Sequence, residues 1–310
     1  MSLALLFPGQ GVQHAAMLPW LDDEPDAEPV LARMAAQLGA DWRARLHDDN
    51  WASRNEVAQP LMTGVALAAW RVLKDRLPRP AMVAGYSVGE LAAFSVAGLY
   101  DASTAIELAR QRAALMDACD SAEPAGLLSV RGASVARVDE LCARFGVSIA
   151  IDLGVERCVL GGSLAALAAA TPQLQASGAE LTPLRVRVAS HTAAMAAAAT
   201  AFAAALEPMA WPNAECLVVC DLDGVARRDA ASLKHALARQ IDHTVQWRRC
   251  MTTLAERRPD CVLELGPGTT LGRLLTSSCP DITVRSADEF HSAQAIVDWV
   301  RRAVGPDRAL

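Results

Sequence analysis

A lone serine between two glycines, set where an apolar run gives way to a helical pattern, constrains this chain more than any other feature. The stretch is AGYSVGELAAF, residues Ala84 to Phe94, entered through the strand-like PAMVAG. Ser87 followed three residues on by Glu90 reads as a capping box, in which the two side chains satisfy free N–H groups of the first helical turn. A cap accounts for those two residues but not for Gly85 and Gly89, because glycine inside a first turn weakens a helix. Glycine at both positions is what a strand–serine–helix elbow needs: the tight turn pushes the serine oxygen outward, and a bulkier neighbour would block the approach of strand or substrate. Ser87 is therefore either a nucleophile or a helix cap.

The order of patterns along the chain gives the frame for that elbow. An apolar strand, LALLF, opens the chain and stops at PGQG, whose proline and glycines force a tight loop. After an acidic segment from Asp22 to Pro29 come the helical LMTGVALAAWRVLKDRL, the strand AMVAG, the elbow, and a long helix in DASTAIELARQRAALMDACD capped by Asp101 or Ser103. Strand, loop and helix in alternation argue for an α/β fold with a parallel sheet covered by helices.

The rhythm changes in the middle. GLLSVRG, SVARVDELCARF, VSIAIDL, RCVLGG, LAALAAATPQLQASG and ELTPLRVRV read as β-α-β-β-α-β, the order of a ferredoxin-like unit spanning Gly126 to Val188. The pattern then returns to α/β through an alanine-rich helix after His191, the strand CLVVCDL, the helix AASLKHALARQ, and CVLELGPG with TTLGRLL. The expected division is a discontinuous large domain, residues 1–125 and 189–310, with a subdomain at 126–188.

Composition removes several function classes. With 52% hydrophobic and 21% charged residues the chain is globular rather than disordered. A formal net charge of −6 gives no electrostatic reason to expect nucleic acid. No apolar run has the length of a membrane span, and MSLALLFPGQG lacks the basic start and cleavage site of a signal peptide. No membrane and a cytoplasmic location are the expectation. The eight cysteines include no C-x-x-C pair, and no histidine stands at metal-ligand spacing. Cys216 and Cys220 share a strand face, and free buried thiols are expected, with no metal.

A serine nucleophile needs a base. His14, His47, His235 and His291 lie in polar surroundings, and His243 in DHTVQW is less clear. His191 differs: RVRVASHTAAM reads as a strand entering a helix, with Ser190 as cap and His191 in the first helical position, where imidazolium is disfavoured and the ring stays neutral. The plain alternative is a histidine that merely ends a strand. Arg112 falls on the apolar stripe of Leu108, Leu115, Met116 and Cys119, while Arg110 points away. A guanidinium there keeps its proton and needs a partner, either an internal carboxylate or a substrate carboxylate held by two parallel hydrogen bonds. Gln10 in FPGQG is either an exposed turn residue or lies beside the elbow at the strand ends. In the second case its backbone N–H joins that of Val88 to hold an oxyanion, a donor typically worth about 3–4 kcal/mol in the transition state.

FPGQG, GYSVGELAA, the RAALM that begins at Arg112, SHTAAM, RQIDHTVQW and ELGPGTTL resemble, in order and spacing, the motifs of malonyl-CoA:acyl carrier protein transacylases, over nearly the whole chain. The resemblance implies an α/β-hydrolase-like domain with a ferredoxin-like insertion. It implies Ser87 as nucleophile, His191 as base, Arg112 as clamp on the malonyl carboxylate, and Gln10 and Val88 as the oxyanion hole. Gln240, in RQI, matches the residue whose backbone carbonyl orients the histidine. The implied partners are malonyl-CoA and an acyl carrier protein, that is, a CoA thioester and a phosphopantetheine-type carrier thiol, with no bound cofactor.

Two departures stand out. The commonest elbow of the family is G-H-S-L-G, whereas Tyr86 and Val88 flank Ser87 here; and Asp152 and Leu153 stand where asparagine is expected. Both features look like the epsilon subunit of malonate decarboxylase, with other decarboxylase subunits as partners, more than the fatty-acid synthesis enzyme. They are expected to bear on acceptor choice. A serine hydrolase or thioesterase, and a non-catalytic docking subunit that kept the fold, are the rival readings.

Overall fold

The computed structural model describes residues 2–119 and 123–305. Among these described residues ten strands form two sheets: β1 (Leu3–Phe7), β2 (Pro80–Gly85), β3 (Ala125–Arg131), β4 (Ser148–Gly154), β5 (Arg157–Ser163), β6 (Glu180–Pro183), β7 (Leu217–Val219), β8 (Ala226–Arg227), β9 (Cys261–Glu264) and β10 (Val284–Ser286). The larger sheet has the order β10-β9-β1-β2-β7-β8, parallel throughout except for β8, which returns antiparallel on β7. The smaller sheet is antiparallel, in the order β4-β5-β3-β6. A mixed α/β fold with a ferredoxin-like unit is thus what the sequence folds into.

The central strands explain why LALLF and PAMVAG are apolar at nearly every position. Leu3, Leu5 and Phe7 of β1 enter the core on one face of the sheet with Val83 of β2, whereas Ala4 and Leu6 enter the core on the other face with Met82 and Ala84. A parallel strand with helices on both sides has no solvent face, so alternation is lost. Each leucine so buried contributes about 1.5–3 kcal/mol. Because Phe7 and Gly85 are register partners, β1 and β2 end at the same level, and the loops that follow them lie side by side. The Tyr86 N–H donates to the Phe7 carbonyl at 2.9 Å across that boundary.

Three local expectations are corrected. The helix read from Leu61 onward starts at Asn55 and runs to Leu73 with Pro60 inside it, which places Asn55 and Gln59 one turn apart on one face. The run ELTPLRVRV is a strand only through Pro183: Leu184 gives its N–H to the Leu127 carbonyl, and the chain then leaves the sheet edge. His191 is not a first helical residue. A short 3-10 turn at Ala193–Met195 precedes the helix Ala196–Leu206, and neither start carries a side-chain cap. Among the described residues no helix is long and apolar enough to cross a membrane.

Candidate active site

The two elbow glycines have a steric cause that can be stated atom by atom. A Cβ on Gly85 would lie 2.1 Å from the Glu90 nitrogen, and one on Gly89 would lie 2.2 Å from the Phe7 carbonyl oxygen. The turn between them forces Ser87 to φ 55°, the left-handed region, which costs a non-glycine residue about 1–3 kcal/mol and persists only when neighbours hold it there. They do: the Ser87 N–H donates to Asp221 Oδ2 at 2.7 Å, and its carbonyl accepts from Gln240 Nε2 at 3.1 Å and from the Glu90 N–H at 3.1 Å. The capping-box alternative does not describe this turn. Glu90 is fully buried and accepts the Asp221 N–H at 2.8 Å, and the helix Gly89–Val96 has no side-chain cap.

The Ser87 hydroxyl is free to face His191, whose Nε2 lies 2.8 Å away. His191 is itself left-handed, at φ 62°, with its N–H donating to the Ile241 carbonyl. Its Nδ1 stands 2.6 Å from the Gln240 carbonyl. A carbonyl only accepts, so the neutral ring carries its proton on Nδ1 and presents the Nε2 lone pair to Ser87. Burial, and then the charge of Arg112, press the His191 pKa down to about 3, against a weaker upward pull from that carbonyl. The ring is thus neutral, as expected, but through burial and a neighbouring cation rather than through a helix terminus.

Arg112 is 1% exposed on the helix Ala102–Asp117. Its Nη1 donates to Gln59 Oε1 at 2.8 Å, and Nη2 to Gln240 Oε1 at 3.1 Å with Ser87 Oγ 3.4 Å away; Nε–H has no acceptor. Among the described residues no carboxylate lies within ion-pair distance of it, so the internal salt-bridge alternative is not met. Desolvation lowers its pKa to about 10, which leaves it charged at neutral pH. Gln240 therefore has three contacts here: with His191 through its carbonyl, and with Arg112 and the Ser87 carbonyl through its amide.

On the other side of the elbow, the Gln10 side chain donates to Asn55 Oδ1 at 2.8 Å, and Asn55 donates onward to Asp117 at 2.6 Å, fixing the loop after β1. Among the described residues, the backbone N–H groups of Gln10 and Val88 donate to no protein acceptor. A cleft of about 520 Å³ opens beside them, lined by Gln10, Tyr86, Leu153, Arg157, Leu184 and Leu271 among others, so that its wall joins the small sheet to the loops that follow β1 and β2. Its size is that of a small-molecule site. Leu153 faces the cleft, whereas Asp152 accepts from Arg248 at 3.0 Å and borders a different hollow. Tyr86 packs edge-on against Trp247 at 5.2 Å. His243 is exposed and bonds Asp242, away from Ser87. Among the described residues no cluster of His, Cys, Asp or Glu has a metal-binding arrangement.

Gln59, Asn55 and Asp221 are site residues that the motifs did not single out. The available signal was polarity out of place: a glutamine inside the apolar EVAQPLMTG and an aspartate closing LVVCD.

The whole arrangement has close counterparts. The acyl transferase domain family matches residues 4–305. The malonyl CoA-acyl carrier protein transacylase of Salmonella typhimurium is 30% identical over 295 residues, covering 92% of this chain and 96% of that one. Among solved structures, a malonyl-CoA:acyl carrier protein transacylase from Xanthomonas oryzae superposes with a TM-score of 0.89 at 30% identity, over 96% of this chain and 99% of that one. A malonyl-transacylase solved in complex with its type II PKS acyl-carrier protein gives a TM-score of 0.89 at 27% identity, over the same shares of the two chains.

Proposed function

The chain belongs to the acyl transferase family, and we propose that it moves a malonyl group from malonyl-CoA to the thiol of an acyl carrier protein through a malonyl ester on Ser87. Support comes from the named activity of its relatives and from one observation above all: a buried guanidinium, hydrogen-bonded only to neutral side chains, 3.4 Å from the Ser87 hydroxyl. A three-carbon diacid joined to Ser87 through one carboxyl carries its other carboxylate only two bonds beyond the reacting carbonyl, within reach of Arg112. Longer acids overshoot it, and monoacids leave it unpaired.

In the first half-reaction His191 Nε2 takes the Ser87 proton as Oγ attacks the thioester carbonyl. The oxyanion accepts from the Val88 and Gln10 N–H groups, and the C–S bond breaks as His191 returns the proton to the CoA thiolate. In the second half the carrier thiol gives its proton to His191, its sulfur attacks the ester carbonyl, and the C–O bond to Ser87 breaks with the proton restored to Oγ. Gln240 holds the His191 tautomer throughout, and Gln59 holds Arg112. A bound malonyl carboxylate offsets the Arg112 charge, and with it part of the force that depresses the basicity of His191.

As a finer assignment, the acceptor is the carrier protein of a malonate decarboxylase, with this chain as the epsilon subunit. Tyr86 and Leu153, two of the departures from the commonest family pattern, both line the cleft beside the elbow. The fatty-acid carrier is the competing acceptor.

The test of the activity is pre-steady-state loading followed by addition of a carrier. Malonyl transfer to the carrier that outruns hydrolysis is expected. Rapid hydrolysis without an acceptor would favour a thioesterase, and no loading at all a docking subunit.

A further inference from the structure

We propose that Glu90 and Asp221 share one proton, and that this buried pair is the positioning strut that holds the Ser87 backbone in its left-handed conformation. Both residues are fully buried. Asp221 Oδ2 accepts the Ser87 N–H, and Glu90 Oε1 accepts the Asp221 N–H, so the strut runs from the elbow to the end of β7 and back to the helix after the elbow. That leaves Asp221 Oδ1 and Glu90 Oε2, each buried and each without a hydrogen-bond donor among the described residues, on two carboxyl groups that the Asp221 N–H bond to Glu90 Oε1 holds side by side.

A proton between the two carboxyls provides the donor that the geometry lacks. Two carboxylates in buried contact do not both ionise, and a buried acceptor left unmatched is costly. The charged and titratable groups around them reinforce this. Arg112 is a cation that acts on both and lies beyond ion-pair distance; Asp223, Tyr86, Tyr100, Cys220 and Cys250 are neutral or negative. Desolvation holds both carboxyls well above their usual range, and the proton belongs to the pair rather than to either residue.

The sign of the pH dependence follows. In the unfolded chain both groups ionise near pH 4, whereas the folded pair keeps its proton toward neutrality. Between those limits the native state binds more protons, so this source of stability is complete at the acid end and is lost as pH rises through the raised pKa. Glu90→Gln removes the dependence. Its Oε1 still accepts the Asp221 N–H, and its amide donates to Asp221 at every pH.

The experiment is infrared difference spectroscopy on the full chain at pH 6, wild type against Glu90→Gln, which cancels other buried carboxyls such as Glu264. A carboxylic-acid C=O band present in the wild type and missing from the variant is expected, and Asp221→Asn, which keeps the Ser87 N–H bond, removes it too. Between pH 5 and 8 the wild-type melting temperature falls by about 3 °C or more relative to Glu90→Gln. For the activity arm alone, which rests on Ser87 as nucleophile, Glu90→Ala slows malonyl loading at least tenfold and Glu90→Gln restores it to within about threefold at pH 7. No difference band in folded protein, or equal melting slopes, overturns the shared proton. The band is read without turnover and persists in Ser87→Ala, so failure of the transacylase reading is told apart from failure of this one.

Discussion

The guanidinium of Arg112 and the hydroxyl of Ser87 are 3.4 Å apart, and the other hydrogen-bond partners of Arg112 are the side-chain amides of Gln59 and Gln240. A buried cation held only by neutral groups is a poor structural element and a good receptor for a short acid. Arg112→Ala is therefore expected to lower kcat/KM for malonyl-CoA by at least about a hundredfold, or roughly 3 kcal/mol. Acetyl-CoA should lose far less, since the acyl chemistry remains. Arg112→Lys should recover little, because a point charge cannot reproduce the planar fork. Equal losses for both thioesters in parallel loading assays would contradict the clamp.

The depressed basicity of His191 sets the acid side of the pH profile. A base whose pKa is lowered to about 3 stays neutral, and so able to accept a proton, well below the usual imidazole value near 6.5. Loading measured as kcat/KM should hold through pH 5. The acid limb of kcat should lie higher than that of kcat/KM, because the bound malonyl carboxylate offsets Arg112 in the complex. A limb at pH 6 to 7 in kcat/KM would show that His191 is not so buried in the free enzyme.

Gly89→Ala tests the elbow as a packing problem. The new methyl carbon would sit 2.2 Å from the Phe7 carbonyl oxygen, between the central strand and the helix that starts beside it. With backbone on both sides and no flexible side chain to yield, a loss of about 3 kcal/mol or more in urea unfolding is expected. Ser87→Ala, which meets no such contact, should unfold within about 1 kcal/mol of the wild type.

What could be read from the sequence was what local sterics and periodicity govern. Gly85 and Gly89 had to be glycine whatever the rest of the chain did, and helical spacing was enough to place Arg112 among core residues. The β-α-β-β-α-β order carried the small sheet for the same reason. His191 was chosen for a helix start that the fold does not contain. Its left-handed backbone and its burial beside Arg112 arise from contacts with residues about 50 to 100 positions away in the chain, which no local pattern encodes. Asp221 and Gln59 were passed over likewise: each is polar because of a partner far away in sequence, Ser87 in one case and Arg112 in the other.

Acceptor choice is expected to follow the cleft wall. Leu153→Asn, together with Tyr86→His, should leave the rate of malonyl loading within about threefold while changing the ratio of transfer rates to the decarboxylase and fatty-acid carriers by about tenfold, or roughly 1.4 kcal/mol. Asp152→Asn, which alters a residue paired with Arg248 away from the cleft, should leave that ratio unchanged. Transfer from pre-formed malonyl-enzyme checks both. A wild-type preference for the fatty-acid carrier would remove the decarboxylase assignment and leave the general transacylase.

The central claim is a malonyl ester on Ser87, and intact-protein mass spectrometry after brief mixing with malonyl-CoA, in the absence of any acceptor, measures it most directly. One added malonyl group per chain is expected, mapped by peptide fragmentation to Ser87 and discharged when a carrier thiol is supplied. It should be missing from Ser87→Ala, whose fold is intact. A label on another residue, or an equally labelled Ser87→Ala, would contradict the account.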